Sequence, residues 1–144
     1  MATRIHKMLV DLIARKMKMK GYTVVAIEGN LLKLSKNERM PIPLKIKRHR
    51  PDIIGINLST RRLCIGEAKT ATDLFSKRTI DQFNDFSGII GKNSGEKAEL
   101  ILGVPQRSLE TLSDLLRKIN LPRDDISIVF LPEELVEDEH KEVI

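Results

Sequence analysis

The stretch RHRPDIIGINLSTRRLCIGEAK, residues 48–69, decides the fold. It contains two apolar runs, 52–58 and 62–69, joined by the short polar segment 59–61. Apolar runs of this length around a short polar connection predict an antiparallel β-hairpin. The first run opens on an acidic residue and the second ends on two charged residues, which core strands rarely do. These charged residues are Asp52, Glu67 and Lys69.

The alternation of side chains along a strand places these charges on one face. Glu67 and Lys69 are two residues apart, so they point the same way and stand about 7 Å apart. Directly opposed residues of an antiparallel pair also point the same way. A register in which paired residue numbers sum to 119 or 121 therefore places Asp52 opposite Glu67 or Lys69. The same register keeps the apolar residues of the two strands on one face.

Two carboxylates and an ammonium group are thus predicted at one end of an apolar face. Neighbouring carboxylates repel each other unless a cation joins them, and Mg²⁺ accepts oxygens from carboxylates, water and phosphate. The ammonium group can orient a water or stabilise charge on phosphate, as metal-assisted phosphodiester hydrolysis requires. The alternative is structural: Asp52 as a strand-start acid, and Glu67 with Lys69 as a solvated pair contributing about 0–1 kcal/mol.

The distribution of charge indicates a polyanion-binding surface. Residues 1–50 carry 13 Lys and Arg against three acids, whereas residues 51–144 carry 12 against 17. Nucleic acid is the polyanion that this asymmetry favours, with surface charges that only aid solubility as the alternative. The basic cluster beside the predicted site would hold a DNA backbone; it consists of Lys45, Lys47, Arg48 and Arg50.

Length and composition predict one domain over 1–132, followed by an acidic tail over 133–144. A single cysteine, Cys64, excludes an intrachain disulfide and is interpreted as a small core residue. We therefore expect an intracellular, cytoplasmic protein. No apolar run approaches the length of a membrane span, so no membrane association is expected. One Cys and three scattered His residues argue against a zinc module.

Helices and strands are predicted to alternate around the hairpin. Helices are expected over 3–20, 76–90 and 108–119, and strands over 22–27, 31–35, 99–104 and 126–131, with part of 36–50 as a further strand. Thr3 and Ser108 are expected to cap helices, and Ile90 to lie on the apolar face of the second helix. The order predicts an α/β fold with a mixed β-sheet, an antiparallel hairpin core and flanking helices.

These residues carry a family resemblance. Pro51-Asp52 followed by Glu67-Ala68-Lys69 resembles the motif of the PD-(D/E)xK nuclease superfamily. Size and element order are similar to its archaeal Holliday-junction resolvase branch, and so is the segment from Asp73 to Arg78, with Gln82 and Phe83 beyond it. The likeness spans roughly residues 3–104. It implies a restriction-endonuclease-like fold and metal-dependent hydrolysis of DNA.

The resemblance implies a role for each matching residue of the motif. Asp52 and Glu67 would bind Mg²⁺, or Mn²⁺ in its place, aided by the backbone carbonyl of Ala68. Lys69 would position or activate the attacking water.

Three residues of the following helix are also assigned roles by the resemblance. Gln82 would support the site, with an ordinary surface helix residue as the alternative. Lys77 and Arg78 would contact DNA phosphates.

One family feature is missing from its usual place. These nucleases often supply a further metal-site glutamate from the first helix, which here contains none. Asp11 lies between Lys7 and Arg15 at i−4 and i+4, which predicts a solvated ion pair. His6, on the inward stripe of that helix, and Glu28, after the first strand, are the other candidates. The alternatives for these two are a satisfied edge histidine and a turn residue.

The leading hypothesis is a Mg²⁺-dependent endodeoxyribonuclease, with branched or junction DNA as a candidate substrate. One site per chain must engage two strands, so a homodimer is expected, with helix 108–119 and the last strand as the candidate interface. One alternative is a non-catalytic nucleic-acid-binding module on the same fold. Another is an interaction subunit that binds its partner through the acidic tail. Aromatic residues make up only 3%, which argues against base stacking as the main mode of recognition.

Overall fold

The computed structural model describes residues 3–28, 33–35, 38–39, 43, 45–121 and 123–136. Within them, helices and strands follow each other in the predicted order. The helices are α1 (Arg4–Met19), α2 (Lys77–Ser87) and α3 (Leu109–Lys118). The strands are β1 (Thr23–Ile27), β2 (Lys33–Ser35), β3 (Glu38–Arg39), β4 (Ile53–Ile56), β5 (Leu63–Ala68), β6 (Glu99–Pro105) and β7 (Ile126–Leu131). Residues 31–32 and 137–144, for which a strand end and most of the acidic tail were predicted, lie outside the described residues.

Five of these strands form one mixed sheet in the order β1-β4-β5-β6-β7, and β2 pairs with β3. β4 is antiparallel to both β1 and β5, whereas β5, β6 and β7 are parallel. Parallel neighbours need a crossover connection, and α2 and α3 lie in the two crossovers. The predicted α/β fold, a mixed sheet flanked by helices around an antiparallel hairpin, is confirmed.

The hairpin of β4 and β5 adopts one of the two predicted registers. Ile53 pairs with Gly66, so paired residue numbers sum to 119 along the hairpin. Asp52 precedes β4 by one residue and therefore lies across from Glu67. A slip of one residue would turn the apolar set to the other face, so the apolar pattern excludes the even sums, and the structure selects 119 over 121.

Each face of the sheet carries its own apolar layer. One layer lies between the sheet and α1, and its fully buried members include Leu9, Ile13, Met17, Ile27 and Ile53. The other packs against α2 and α3 and includes Ile65, Phe83, Phe86, Leu100 and Leu112. Cys64 is fully buried in the first layer, where burial raises the pKa of its thiol, as its interpretation as a core residue requires.

Of three local predictions, the Thr3 cap is confirmed, whereas those for Ser108 and Ile90 were wrong. Thr3 caps α1 as expected, since its Oγ1 accepts a hydrogen bond from the His6 N–H at 3.1 Å. Ser108 lies in a short 3-10 turn with ψ near 0, and its side chain accepts no capping bond from the described backbone of α3. Side-chain capping normally needs an extended cap residue. Ile90 is 60% exposed because α2 ends at Ser87, so Ile90 no longer follows the helical face.

A charged cluster holds the C-terminal end of α1 against the sheet. Glu99, buried at the start of β6, accepts a hydrogen bond from the Tyr22 hydroxyl at 2.8 Å and forms an ion pair with Lys20. Arg62, which pairs with Asp125 at 2.8 Å, lies next to the same carboxylate. The carboxylate of Glu99 is thus well supplied with donors, and α1 is held at the end away from the predicted site.

Gly66, in the middle of β5, leaves no room for a side chain. A Cβ there would overlap methyl groups of the buried residues Ile53 and Ile13. Gly66→Ala is therefore expected to lower the free energy of unfolding by about 1–3 kcal/mol, as measured by denaturant titration. Gly88→Ala is the matched control, because its Cβ would make an ordinary 3.5 Å contact, and a change below about 0.5 kcal/mol is expected. Equal losses in the two variants would contradict the close approach of α1 to the hairpin.

Candidate active site

A cleft of about 500 Å³ opens at the end of the hairpin opposite its turn. The start of α1, the end of β5 and the start of α2 contribute to its walls, and so does the basic segment before β4. All four residues predicted to be catalytic line it: Asp52, Glu67, Lys69 and Gln82. The sheet register brings the first three together, and the packing of α2 on the sheet adds the fourth.

Asp52 is held in position by three contacts. One of its carboxylate oxygens, Oδ2, accepts a hydrogen bond from the Ala68 N–H at 2.8 Å. The same oxygen lies 3.3 Å from Nε2 of His6. Its backbone carbonyl accepts the Glu28 N–H at 2.9 Å. Burial would raise the pKa of Asp52, but the neighbouring His6, Glu67 and Ala68 N–H outweigh burial and lower it to about 2.

Glu67 shows the opposite behaviour. Its side chain is 3% exposed, and its Oε2 has no hydrogen-bond partner among the described residues. Burial raises the pKa of Glu67 well above the usual range, and the negative charge of Asp52 raises it further, while Lys69 opposes the shift. Two adjacent carboxylates with pKa values displaced in opposite directions are typical of functional sites.

Lys69 and Gln82 form a pair on the α2 side of the cleft. The backbone N–H of Lys69 donates to the carbonyl of Gly103 at 2.9 Å, which extends the pairing of β5 with β6 past Ala68. The Lys69 ammonium group donates to Oε1 of Gln82, and both side chains are buried. Gln82 is therefore buried, and the alternative that it is an ordinary surface residue of the helix is wrong.

The three candidates for a further site residue differ in whether they line the cleft. Asp11 forms an exposed ion pair with Arg15 at 3.0 Å, as predicted, and does not line the cleft. Both His6 and Glu28 line it. The hydrogen bond to Asp52 raises the pKa of His6, although burial opposes this. Burial and the adjacent Asp52 raise the pKa of Glu28.

The predicted DNA-binding residues divide into two groups. Lys45, Arg48, Arg50 and Arg78 line the cleft. Lys47 and Lys77 are exposed but lie outside the cleft lining. The cleft thus has a cationic rim facing its buried carboxylates, a charge arrangement that suits an anion bridged to the carboxylates by a cation.

The basic segment before β4 is anchored to α2. Nε of Arg48 donates to Oδ2 of Asp85 at 3.4 Å, and the buried ring of His49 lies 3.5 Å from the same oxygen. The His49 ring also packs edge-on against Phe86. Neither His49 nor Asp85 had been singled out from the sequence, because only the fold brings 48–49 next to 85.

Three polar residues of the cleft were also missed: Asp73, Ser76 and Thr79. They form a hydrogen-bonded turn in which the Thr79 hydroxyl donates to the Asp73 carbonyl at 2.6 Å. Ser76 caps α2 by accepting the Thr79 N–H at 3.2 Å. Such a cap can be read from sequence, whereas its position beside Glu67 depends on the path of the chain after β5.

The donors in the cleft fit a hard divalent cation of the Mg²⁺ type. In the described part of the chain, no group of three or more His, Cys, Asp or Glu side chains is arranged to hold a metal ion. Mg²⁺ does not need such a cage, because it commonly binds through one or two carboxylates and completes its shell with water and phosphate. The unpartnered Oε2 of Glu67 beside Asp52 offers that kind of donor pair.

Comparison of the chain with protein-family models, with curated proteins and with solved structures gives no match. We therefore infer the function from the geometry of the cleft. Within the described ranges, no helix is long and apolar enough to cross a membrane.

The raised pKa of Glu67 predicts a pH-dependent stability in metal-free protein. Its contribution is fully present below the ordinary pKa of 4.5 and is lost as the pH rises through the higher folded-state pKa. Glu67→Gln removes this loss. We expect its free energy of unfolding to exceed that of the wild type by about 1–3 kcal/mol at about pH 8 and to converge with it near about pH 4. Denaturant titrations in EDTA across this range measure the difference.

Asp11→Asn provides the control, because it removes a carboxylate of the same chain from an exposed ion pair. Its effect is expected to stay below about 1 kcal/mol. If Glu67→Gln and wild type had parallel pH profiles, the raised pKa of a buried Glu67 would be refuted.

Proposed function

We propose that this protein is a Mg²⁺-dependent endodeoxyribonuclease that hydrolyses DNA phosphodiester bonds. One observation carries the proposal: two buried carboxylates, Asp52 and Glu67, lie side by side next to a buried lysine in a cleft with a cationic rim. A structural ion pair would not require a carboxylate oxygen that is buried without a partner among the residues that the structure describes.

Each residue of the cleft has a part in this reaction. Asp52 and Glu67 would hold Mg²⁺, or Mn²⁺, with the Ala68 carbonyl as a further donor. When bound, the ion would offset the carboxylate charges and stabilise negative charge on the scissile phosphate. The Lys69 ammonium group would orient the attacking water towards phosphorus, and Gln82 would hold that ammonium group in place.

The cationic rim would bind the DNA backbone. Lys45, Arg50 and Arg78 would contact phosphates on either side of the scissile bond, and Arg48 would add to them from its anchored position on α2. We also propose that the mixed sheet is restriction-endonuclease-like, since its hairpin carries both carboxylates of the motif. Two copies of the chain would be needed to cut both strands, and β7, an edge of the sheet, remains the candidate interface together with α3.

A non-catalytic DNA-binding module is the second candidate. It is favoured by His6, which stands close to Asp52 in the helix that usually supplies a further glutamate. An imidazolium in that position would partly offset the carboxylate charge without a metal ion. This candidate predicts DNA binding that is indifferent to Mg²⁺ and to the substitution of Lys69.

Cleavage of supercoiled plasmid DNA tests the first candidate directly. With Mg²⁺ the wild type is expected to nick the plasmid, and EDTA to stop it. Asp52→Ala, Glu67→Ala and Lys69→Ala should each lower the rate by about 100-fold or more, because each removes a group that acts on the developing charge. Asp11→Asn should leave the rate unchanged. Cleavage that survives both carboxylate substitutions would eliminate the assignment of the site.

The salt dependence of DNA binding tests the cationic rim. Arg78→Ala is expected to weaken binding to a short duplex and to reduce the slope of log affinity against log salt by about 1, the signature of one lost phosphate contact. Lys18→Ala makes the same change of charge at the other end of α1, about 18 Å from His6 along the helix, and should leave the slope unaltered. If both variants lose affinity equally, overall charge rather than the cleft governs binding. Fluorescence anisotropy of labelled DNA measures both.

A further inference from the structure

Phe75 is exposed to solvent although large aromatic side chains normally gain most from burial. It is 79% exposed and is one of four phenylalanines in a chain without tryptophan. Large apolar side chains are exposed elsewhere in the described residues as well. Phe75 differs because residues on both sides of it, Asp73 and Ser76, line the cleft.

The turn that carries Phe75 is held firmly. Leu74, the preceding residue, is buried in the layer beneath α2 and α3. The Phe75 N–H donates to the carbonyl of Thr72 at 3.3 Å, and the Ser76 N–H donates to that of Asp73 at 3.1 Å. With Leu74 pointing inward in a tight 3-10 turn, the next side chain is directed to solvent. The turn therefore holds the Phe75 ring in solvent, where a ligand can reach it without rearrangement of the protein.

The residues around Phe75 indicate which class of ligand would contact its ring. Arg78, three residues further on, lies in the cationic rim, and Asp73, two residues earlier, lines the same cleft. A partner that reaches Phe75 from the cleft must therefore offer negative charge and a flat apolar face together. A nucleotide has both, in its phosphate and its base, and stacking of a base on an aromatic ring tolerates any sequence. In a paired duplex the bases are stacked on each other, so only an unpaired base presents its face.

We propose that Phe75 is a stacking platform for an unpaired nucleobase at the rim of the cleft, so that the preferred DNA contains unpaired nucleotides next to the bond that is cut. The inference rests on the proposed nuclease function and specifies its substrate class. It also qualifies the compositional argument against stacking, since a single well-placed ring is sufficient for one base.

A single-tryptophan variant tests the contact. Phe75→Trp introduces the only tryptophan of the chain, and its emission reports stacking. The variant is titrated in EDTA with a duplex carrying a single-stranded flap and with the fully paired duplex of the same sequence. We expect quenching by the flapped DNA and little change with the paired duplex.

Leu58→Trp is the matched control. Leu58 is 62% exposed in the turn of the hairpin, about 20 Å from Asp52 along β4. Its emission should not respond to either DNA. If Phe75→Trp binds the flapped DNA, as shown by anisotropy of the labelled strand, without a change in emission, the inference is overturned.

The affinity difference gives a second readout. Phe75→Ala is expected to bind flapped DNA about 5- to 150-fold more weakly than the wild type, the range for one lost base stack. Phe75→Leu keeps apolar bulk without a ring and should recover little of the loss, whereas Leu58→Ala should bind like the wild type. Full recovery by leucine would refute stacking.

The two proposals fail in different experiments. Binding in EDTA involves no hydrolysis, so the Phe75 contact can be refuted while Mg²⁺-dependent nicking by the wild type stands. Conversely, quenching of the Phe75→Trp emission without plasmid nicking by the wild type would refute the nuclease function and leave the stacking contact standing. A halved mass of Phe75→Ala in light scattering would show that the ring joins two copies of the chain, which would also overturn the inference.

Discussion

The pairing of Ile53 with Gly66 is the contact on which the rest of the structure depends. It places Asp52 across from Glu67 at the open end of the hairpin. Because Gly66 has no side chain, α1 can lie against the strand, with Ile13 filling the space that a Cβ would occupy. A slip of one residue would send one carboxylate to the opposite face and remove the cleft. Register, helix packing and the site are therefore consequences of one close approach.

Buried glutamates at the two ends of the sheet illustrate the difference between structural and functional charges. Glu99 is provided with a hydroxyl and an ammonium group, by Tyr22 and Lys20, and it ties α1 to the sheet. Glu67 is as deeply buried, yet one of its oxygens lacks a partner among the described residues, and the negative charge of Asp52 repels it. Buried polar groups in native proteins are normally hydrogen-bonded, as Glu99 is, so the lack of a partner for the Glu67 oxygen must have a reason. A bound cation would supply that reason.

Two of the helices, α1 and α2, place side chains at the cleft. α1 brings His6 to Asp52 with its first turn, while Lys20, directly after its last turn, pairs with Glu99 at the opposite end of the strands. α2 brings Gln82 to Lys69 and also anchors the basic segment through Asp85. The hairpin positions the carboxylates, whereas α1 contacts Asp52 and α2 contacts both Lys69 and the basic segment, so that a change in the packing of either helix would disturb the cleft. This coupling favours a cleft that binds its ligand as one preorganised unit.

Much of this arrangement was predicted from local pattern, because β-strand alternation has a period of two and turns have recognisable residues. The order of elements follows from periodicity along the whole chain, and apolar alternation in a stretch of about twenty residues limits the hairpin to two registers, both of which place Asp52 and Glu67 on one face. The predictions that Ser108 caps a helix and that Ile90 lies on an apolar helix face were wrong, because each depends on the position of a helix end to within one turn. The sequence by itself determined the hairpin and the acidic pair at its end. Only the tertiary structure decided that His6 reaches Asp52, that Gln82 reaches Lys69, that Asp85 anchors the basic segment and that Phe75 faces solvent. These contacts join segments far apart in the chain, or depend on what the neighbouring residue buries, and local periodicity carries no information about either.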